Sequence, residues 1–199
     1  MQASVLFAVF VKFFFLLTPF FILSVFLAVT ENETREMQRR LAVRVTAGVV
    51  VISLILFLFG DVIFSVLGIT LEAFRVGAGA LLFLSAVSLT QGTIQLPSSK
   101  RSLLDLAIVP LAIPMTLGPG SVGALLVMGS ETTGTAAVAT TAVGITAASL
   151  TVGLILFLSH RIHRLIGTSG ISMLSKLTGL VLAALSCQMM LTGVAAFLK

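Results

Sequence analysis

Hydrophobic positions along this chain fall into long runs. A helix crossing the hydrocarbon layer needs about 20 apolar residues, and six runs meet that length: Val5 to Val29, Leu41 to Phe59, Leu71 to Leu89, Leu104 to Met128, Ala136 to Ser159 and Leu177 to Leu198. The pattern predicts an all-α membrane protein of six transmembrane helices. Proline interrupts two runs in mid-span, at Leu17-Thr18-Pro19-Phe20 and at Ile113-Pro114-Met115-Thr116-Leu117-Gly118-Pro119-Gly120. Broken membrane helices free backbone N–H and C=O groups that lipid cannot satisfy, so such breaks must face protein or a polar cavity. Breaks placed once in each half of a chain point to a transporter's binding site.

The two halves repeat each other. Gly68-Ile69-Thr70 is matched by Gly170-Ile171-Ser172 and Gly77 by Gly179, at a spacing of 102, and Leu17-Thr18-Pro19 by Leu117-Gly118-Pro119 at 100. With three spans per half the second copy must be inverted. Residues 1–92 form the first repeat, 93–103 the linker and 104–199 the second repeat, in one transmembrane domain. The linker carries Pro97, Ser98, Ser99, Lys100 and Arg101, and Ser102 with Asp105 has the spacing of a capping box. Asp105 reads as a helix cap, with proton coupling as the alternative.

Composition agrees: 58% of residues are hydrophobic and 10% charged, with a mean hydropathy of +1.19, which excludes an ordinary soluble domain. The pI near 10.4 reflects loops and not a nucleic-acid surface. Arg35, Arg39, Arg40, Arg44, Lys100, Arg101, Arg161 and Arg164 fall on one side and only Arg75 and Lys199 on the other. The positive-inside rule then puts both termini outside the cytoplasm. The amino terminus lacks a basic signal region, so the first run is expected to remain as a helix. A single cysteine, Cys187, excludes an internal disulfide and reads as a packing residue.

At each break the restarted helix presents unpaired N–H groups and the positive end of its dipole. Thr18-Pro19 and Gly118-Pro119 read as cap plus first turn. The donors are then the N–H groups of Phe20 and Phe21 in one half, and of Gly120 and Ser121 in the other. Gly118 and Gly120 let a ligand approach the backbone, and Thr18, Thr116 and Ser121 add hydroxyls. Such a site suits a small zwitterion, and Gly120→Val is expected to stop transport in a folded protein. Pure kinks serving packing are the alternative.

Other polar residues have plainer readings. Lys12 snorkels to the nearby surface or guards a cavity above Pro19. Glu72 and Arg75 form a helix-end ion pair, Asp61 sits in a turn, and Gln188 is buried and needs a partner. The stripe Ala136, Thr140, Gly144 and Ala148 gives close helix contact, while Thr141, Thr146 and Ser149 are candidates to line a path. His160 and His163 lie in a cytoplasmic loop without metal-site partners. No motif of a nucleotide-binding loop, zinc protease or serine hydrolase is present, so neither an enzyme nor a cofactor is expected.

The whole length resembles the MarC family of six-span membrane proteins, also called the neutral amino acid transporter family and distantly similar to amino acid exporters of the LysE type. The resemblance rests on Val109-Pro110-Leu111-Ala112-Ile113-Pro114-Met115-Thr116-Leu117-Gly118-Pro119-Gly120, on Phe74-Arg75-Val76-Gly77-Ala78-Gly79, and on Gly60-Asp61 and Gly68-Ile69. Members commonly carry Asn-Pro-x-Gly-x-x-Pro-x-Phe-Leu at the first break, where this chain has Thr18, Pro19, Phe21, Ser24, Phe26 and Leu27. The resemblance implies a small neutral amino acid as the substrate class. The chain reads as a bacterial inner-membrane secondary transporter of such a solute or a similar small metabolite, with H+ engaging Asp105 or Na+ engaging carbonyls freed at the breaks. The alternative is a non-transporting membrane protein with an assembly or regulatory role.

Overall fold

The computed structural model describes residues 2–92 and 116–198. Among them there is no strand. Helix α1 (Gln2–Leu16) continues into α2 (Pro19–Val29) through a bend of 41°. A tight turn leads to α3 (Arg35–Leu58), where Thr34 Oγ1 accepts the Met37 N–H and Glu36 meets the positive helix end. The short α4 (Gly60–Leu67) stops at Gly68, whose φ of 63° belongs to the left-handed region that glycine adopts freely. α5 (Leu71–Gln91) is capped by Thr70, which accepts the Ala73 N–H. The second half contributes α6 (Pro119–Glu131), α7 (Thr135–Phe157) and α8 (Ser159–Phe197).

Among the described residues four helices, α3, α5, α7 and α8, are long and apolar enough to cross a membrane, and the bent α1–α2 pair adds a fifth if it is counted as one broken span. The expectation of six spans is thus met only in part. The first portion of the fourth run, with the linker, Asp105, Pro110 and Pro114, lies outside the described residues. Two boundaries differ from the sequence reading. Asp61 lies in the first turn of α4 and not in a loop, and residues 159–166 are helical, joined to the last span across a non-helical Gly167 with φ 71°. An eight-residue helix is too short to register as a span, and a cluster of Arg and His masks its helical pattern.

The order of the described elements recurs along the chain at a spacing other than the one read from the glycines. A half-length helix, a long helix, an eight-residue helix and a left-handed glycine occur at Pro19–Val29, Arg35–Leu58, Gly60–Leu67 and Gly68, and again at Pro119–Glu131, Thr135–Phe157, residues 159–166 and Gly167. The starts of these elements and the two glycines are 99 or 100 residues apart. At this spacing Gly68 lines up with Gly167, and Gly79 with Gly179.

The broken helix lies at the centre. Phe13, Leu16 and Leu17 of α1 and its bend, with Ile22, Leu23 and Phe26 of α2, are at most 1% exposed. They share one buried core with Leu41, Val45 and Val49 of α3, Ile145, Ala148 and Val152 of α7, and Leu182 of α8. Apolar residues such as Val43, Val51, Leu84, Leu150 and Leu180 are exposed instead, as suits helices that meet lipid tails.

Helices α5 and α8 run antiparallel through close small-residue contacts. A Cβ at Gly79 would lie 3.1 Å from the Ser186 carbonyl oxygen, and one at Gly179 would lie 3.0 Å from that of Ala86. Half-helix α6 is clamped in the same way. Gly120 and Gly123 meet Leu82 and Ala78 of α5, while Gly129 meets the Phe57 carbonyl of α3 and the Leu126 carbonyl meets Gly60 of α4. In α7, Gly144 admits Val9 of α1, and the Thr146 and Ser149 hydroxyls donate to carbonyls of their own helix.

Candidate functional site

The residue before a proline is steered away from the right-handed helical region, so α1 cannot run on into Pro19. The N–H groups of Leu17 and Thr18 close α1 on the carbonyls of Phe13 and Phe15, and the Thr18 carbonyl starts α2 by accepting from Ile22. Thr18 itself is left-handed, at φ 48° and ψ 57°, and buried. No other non-glycine residue among those described has positive φ. A β-branched residue there is strained by about 1–3 kcal/mol, and asparagine tolerates the conformation better. Thr18→Asn is expected to stabilise the protein by about 1 kcal/mol, read as a melting temperature higher by about 2–4 °C. An unchanged or lower value would mean that the bend is not strained.

The second break has ordinary geometry. Gly118 is extended at φ −65° and ψ 164°, its carbonyl accepts the Val122 N–H, and Pro119 takes the first helical position. The space at Gly120 is filled: a Cβ there would lie 2.6 Å from Leu82 Cα and 2.8 Å from Leu82 N. Gly120 admits α5, and this overturns the expectation that Gly120→Val would spare the fold. Pro119 is exposed and borders a groove with Ile69, Ala73 and Gly77. Thr116 is buried, while Phe20 and Phe21 are half-buried, Phe20 with its ring edge-on to Phe14 at 6.4 Å.

One bond joins the two breaks. Buried Ser121 donates its hydroxyl to the Leu16 carbonyl at 2.6 Å. That oxygen belongs to the last turn of α1, whose carbonyls have no helical partner ahead of them. Residues 105 apart in sequence thus meet where both helices are interrupted.

Above this junction lies a cavity of about 220 Å³. Each wall contributes residues at helical spacing: Lys12 and Leu16 from α1, Arg75 and Leu82 from α5, Ala124, Val127 and Glu131 from α6, and Leu185, Gln188, Met189 and Thr192 from α8. Leu16 forms part of its floor and Glu131, the last residue of α6, part of its rim. Ser121 and Glu131 are ten residues apart on one helix, so the cavity extends about 15 Å from the break, half a hydrocarbon layer.

Arg75 reaches across to Glu131, Nη2 donating to Oε1. The expected helix-end pair with Glu72 is therefore replaced by a tie between α5 and α6. Gln188 is exposed to the cavity and not buried, and Cys187 is exposed on the neighbouring surface of α8. Sequence reasoning left Arg75 and Glu131 out of the site. Their signal was present as single charges at the edges of apolar runs, which are expensive in a membrane and mark function.

The opposite end of the chain is basic. Arg39 sits over the Phe157 ring at 5.1 Å, and Arg35 Nη2 lies 3.1 Å from His160 Nε2 in the polar segment before Gly167. The guanidinium of Arg35 holds the His160 imidazole below its usual range, so the ring accepts that bond in its neutral form.

A family model described as "MarC family integral membrane protein" matches residues 3–198. A UPF0056 membrane protein of Aquifex aeolicus is 30% identical over 191 residues, covering 92% of this chain and 89% of that protein. UPF0056 membrane protein MJ0972 of Methanocaldococcus jannaschii is 31% identical over 192 residues, covering 93% and 84%. UPF0056 membrane protein YhcE of Escherichia coli K12 is 26% identical over 197 residues, covering 96% and 92%. No solved structure matches the chain. With broken helices joined at its centre and a match over nearly its whole length, the chain belongs to the MarC family of integral membrane proteins.

Proposed function

We propose that this protein is a secondary transporter that carries a small neutral amino acid or a similar small metabolite across the bacterial inner membrane. The observation that carries the reading is the Ser121–Leu16 bond. It joins two helix breaks at the foot of a polar-walled cavity, the arrangement in which interrupted helices hold a solute near the bilayer midplane.

The reciprocal contacts of Gly79 with Ser186 and Gly179 with Ala86 support a pseudo-two-fold axis between antiparallel α5 and α8. Such an axis lies in the membrane plane, which makes the halves inverted repeats of three spans each. Both termini then face the periplasm, and the cavity opens on that side. Rocking one half against the other exposes the site alternately, with H+ or Na+ as the driving ion.

Purified protein in liposomes, given labelled glycine or alanine under imposed H+ or Na+ gradients, is expected to show gradient-dependent uptake. Absence of flux under every gradient would favour the alternative, a non-transporting membrane protein with an assembly or regulatory role. The filling of the Gly120 position by Leu82 is the observation on that side.

A further inference from the structure

The geometry points to the cavity between α1, α5, α6 and α8 as a docking site for a small carboxylate-bearing molecule, with Lys12 as its anchor and Glu131 as the partner of an ammonium group. The inference deepens the transport reading by naming how that site holds its solute. Binding itself needs no transport.

Three charges face this space: Lys12, Arg75 and Glu131. Arg75 and Glu131 neutralise one another, which leaves the Lys12 ammonium with no ion-pair partner among the described residues. An ammonium group has three donors and no acceptor capacity. A lone cation in a membrane helix is costly unless it pairs or faces a water-filled space. One negative charge balances it.

Glu131 narrows the choice further. Arg75 engages Oε1 alone, and a carboxylate offers about four acceptor positions, so the second oxygen remains to receive a donor. A doubly charged anion would be repelled by this group, whereas an α-amino acid places its ammonium on Glu131 and its carboxylate on Lys12. Gln188 supplies an amide, and Leu16, Leu82, Ala124 and Val127 supply apolar contact for a short side chain. The volume of about 220 Å³ is below the roughly 300–1,000 Å³ of pockets for drug-sized ligands. It corresponds to roughly seven waters at about 30 Å³ each, enough for a solute the size of alanine.

The test compares three probes on the full-length protein in nanodiscs, at fixed ionic strength, by melting temperature: L-alanine, propionate with the carboxylate alone, and L-alaninamide with the ammonium alone. A ligand that selects the native state raises its melting temperature. Alanine is expected to stabilise most, propionate less and alaninamide not at all. Lys12→Met should remove the response to alanine and propionate, and Lys12→Arg should retain it.

Stabilisation by alaninamide equal to that by alanine, or an undiminished alanine response in Lys12→Met, would overturn the site. So would the absence of any response in the wild type. Should Lys12→Met not fold, Glu131→Gln decides: it is expected to erase the advantage of alanine over propionate, and an advantage left intact refutes the inference. Lys12-dependent binding without flux sinks the transport reading alone. Flux that ignores Lys12 sinks only the docking site.

Discussion

Gly120→Val is expected to unseat α6 from α5 and leave little folded protein. The first added carbon would lie 2.6 Å from Leu82 Cα, 2.7 Å from its Cβ and 2.8 Å from its N. Two of these are backbone atoms of a packed helix and cannot swing aside as a flexible side-chain end does. Overpacking a core costs about 1–3 kcal/mol where side chains adjust, so a clash with backbone should cost about 3 kcal/mol or more. For a chain of this size that lowers the melting temperature by about 6–12 °C.

The damage should spread, because α6 also carries Ser121. Moving its first turn pulls the hydroxyl off the Leu16 carbonyl and leaves a buried acceptor unpaired, at about 1–3 kcal/mol. Size-exclusion profiles of detergent-solubilised variants read the outcome directly. A Gly120→Val protein as monodisperse and as heat-resistant as wild type would show that α5 does not grip this glycine.

Breaking the ion pair gives the second large effect. Arg75 retains only 12% of its side-chain exposure and Glu131 retains 44%. Removing one partner of a fully buried pair costs about 3–5 kcal/mol. The exposure of Glu131 reduces this to about 1–3 kcal/mol, since water reaches the charge left behind. Arg75→Met and Glu131→Gln should each lower the melting temperature and suppress uptake in liposomes. Glu131→Gln is the more damaging for amino acid binding, because it removes the charged acceptor of the solute's ammonium group. The exchange Arg75→Glu with Glu131→Arg should recover part of the stability. A double-mutant cycle with coupling below about 0.5 kcal/mol would mean that the pair is incidental.

Apolar run length told most of the helices, and proline told where two of them stop. The first break is plain because no residue before a proline joins a helix comfortably, and Thr18 pays no regard to its own left-handed reluctance. What that sequence could not give is the neighbour of each break. Gly120 reads equally well as an opening for solute or for another helix, and only the approach of Leu82 decides. Arg75 likewise has Glu72 one turn away in sequence, yet its partner is Glu131 on α6. Helical spacing ranks local partners well, and it is blind to the crossing of α5 by α6.

Residue matches and backbone geometry give different spacings between the two halves. Gly-Ile pairs matched at 102, whereas the left-handed glycines that end the two short helices are 99 apart. Identity of residues follows chance in small-residue helices; a positive φ follows the backbone. Lys12 stands out in the sequence as a charge within an apolar run, but one helix alone cannot reveal that three others complete a chamber around it.

Position 21 holds phenylalanine where its counterpart 121 holds serine, so the knot between the interruptions is tied from one side only. Were the chain the carrier proposed above, halves this unlike would not idle with two doorways equally open. One net hydrogen bond is worth about 1 kcal/mol, which weights two exchanging states about fivefold. On the transport reading, a single oxygen atom is enough to set which way the empty carrier waits.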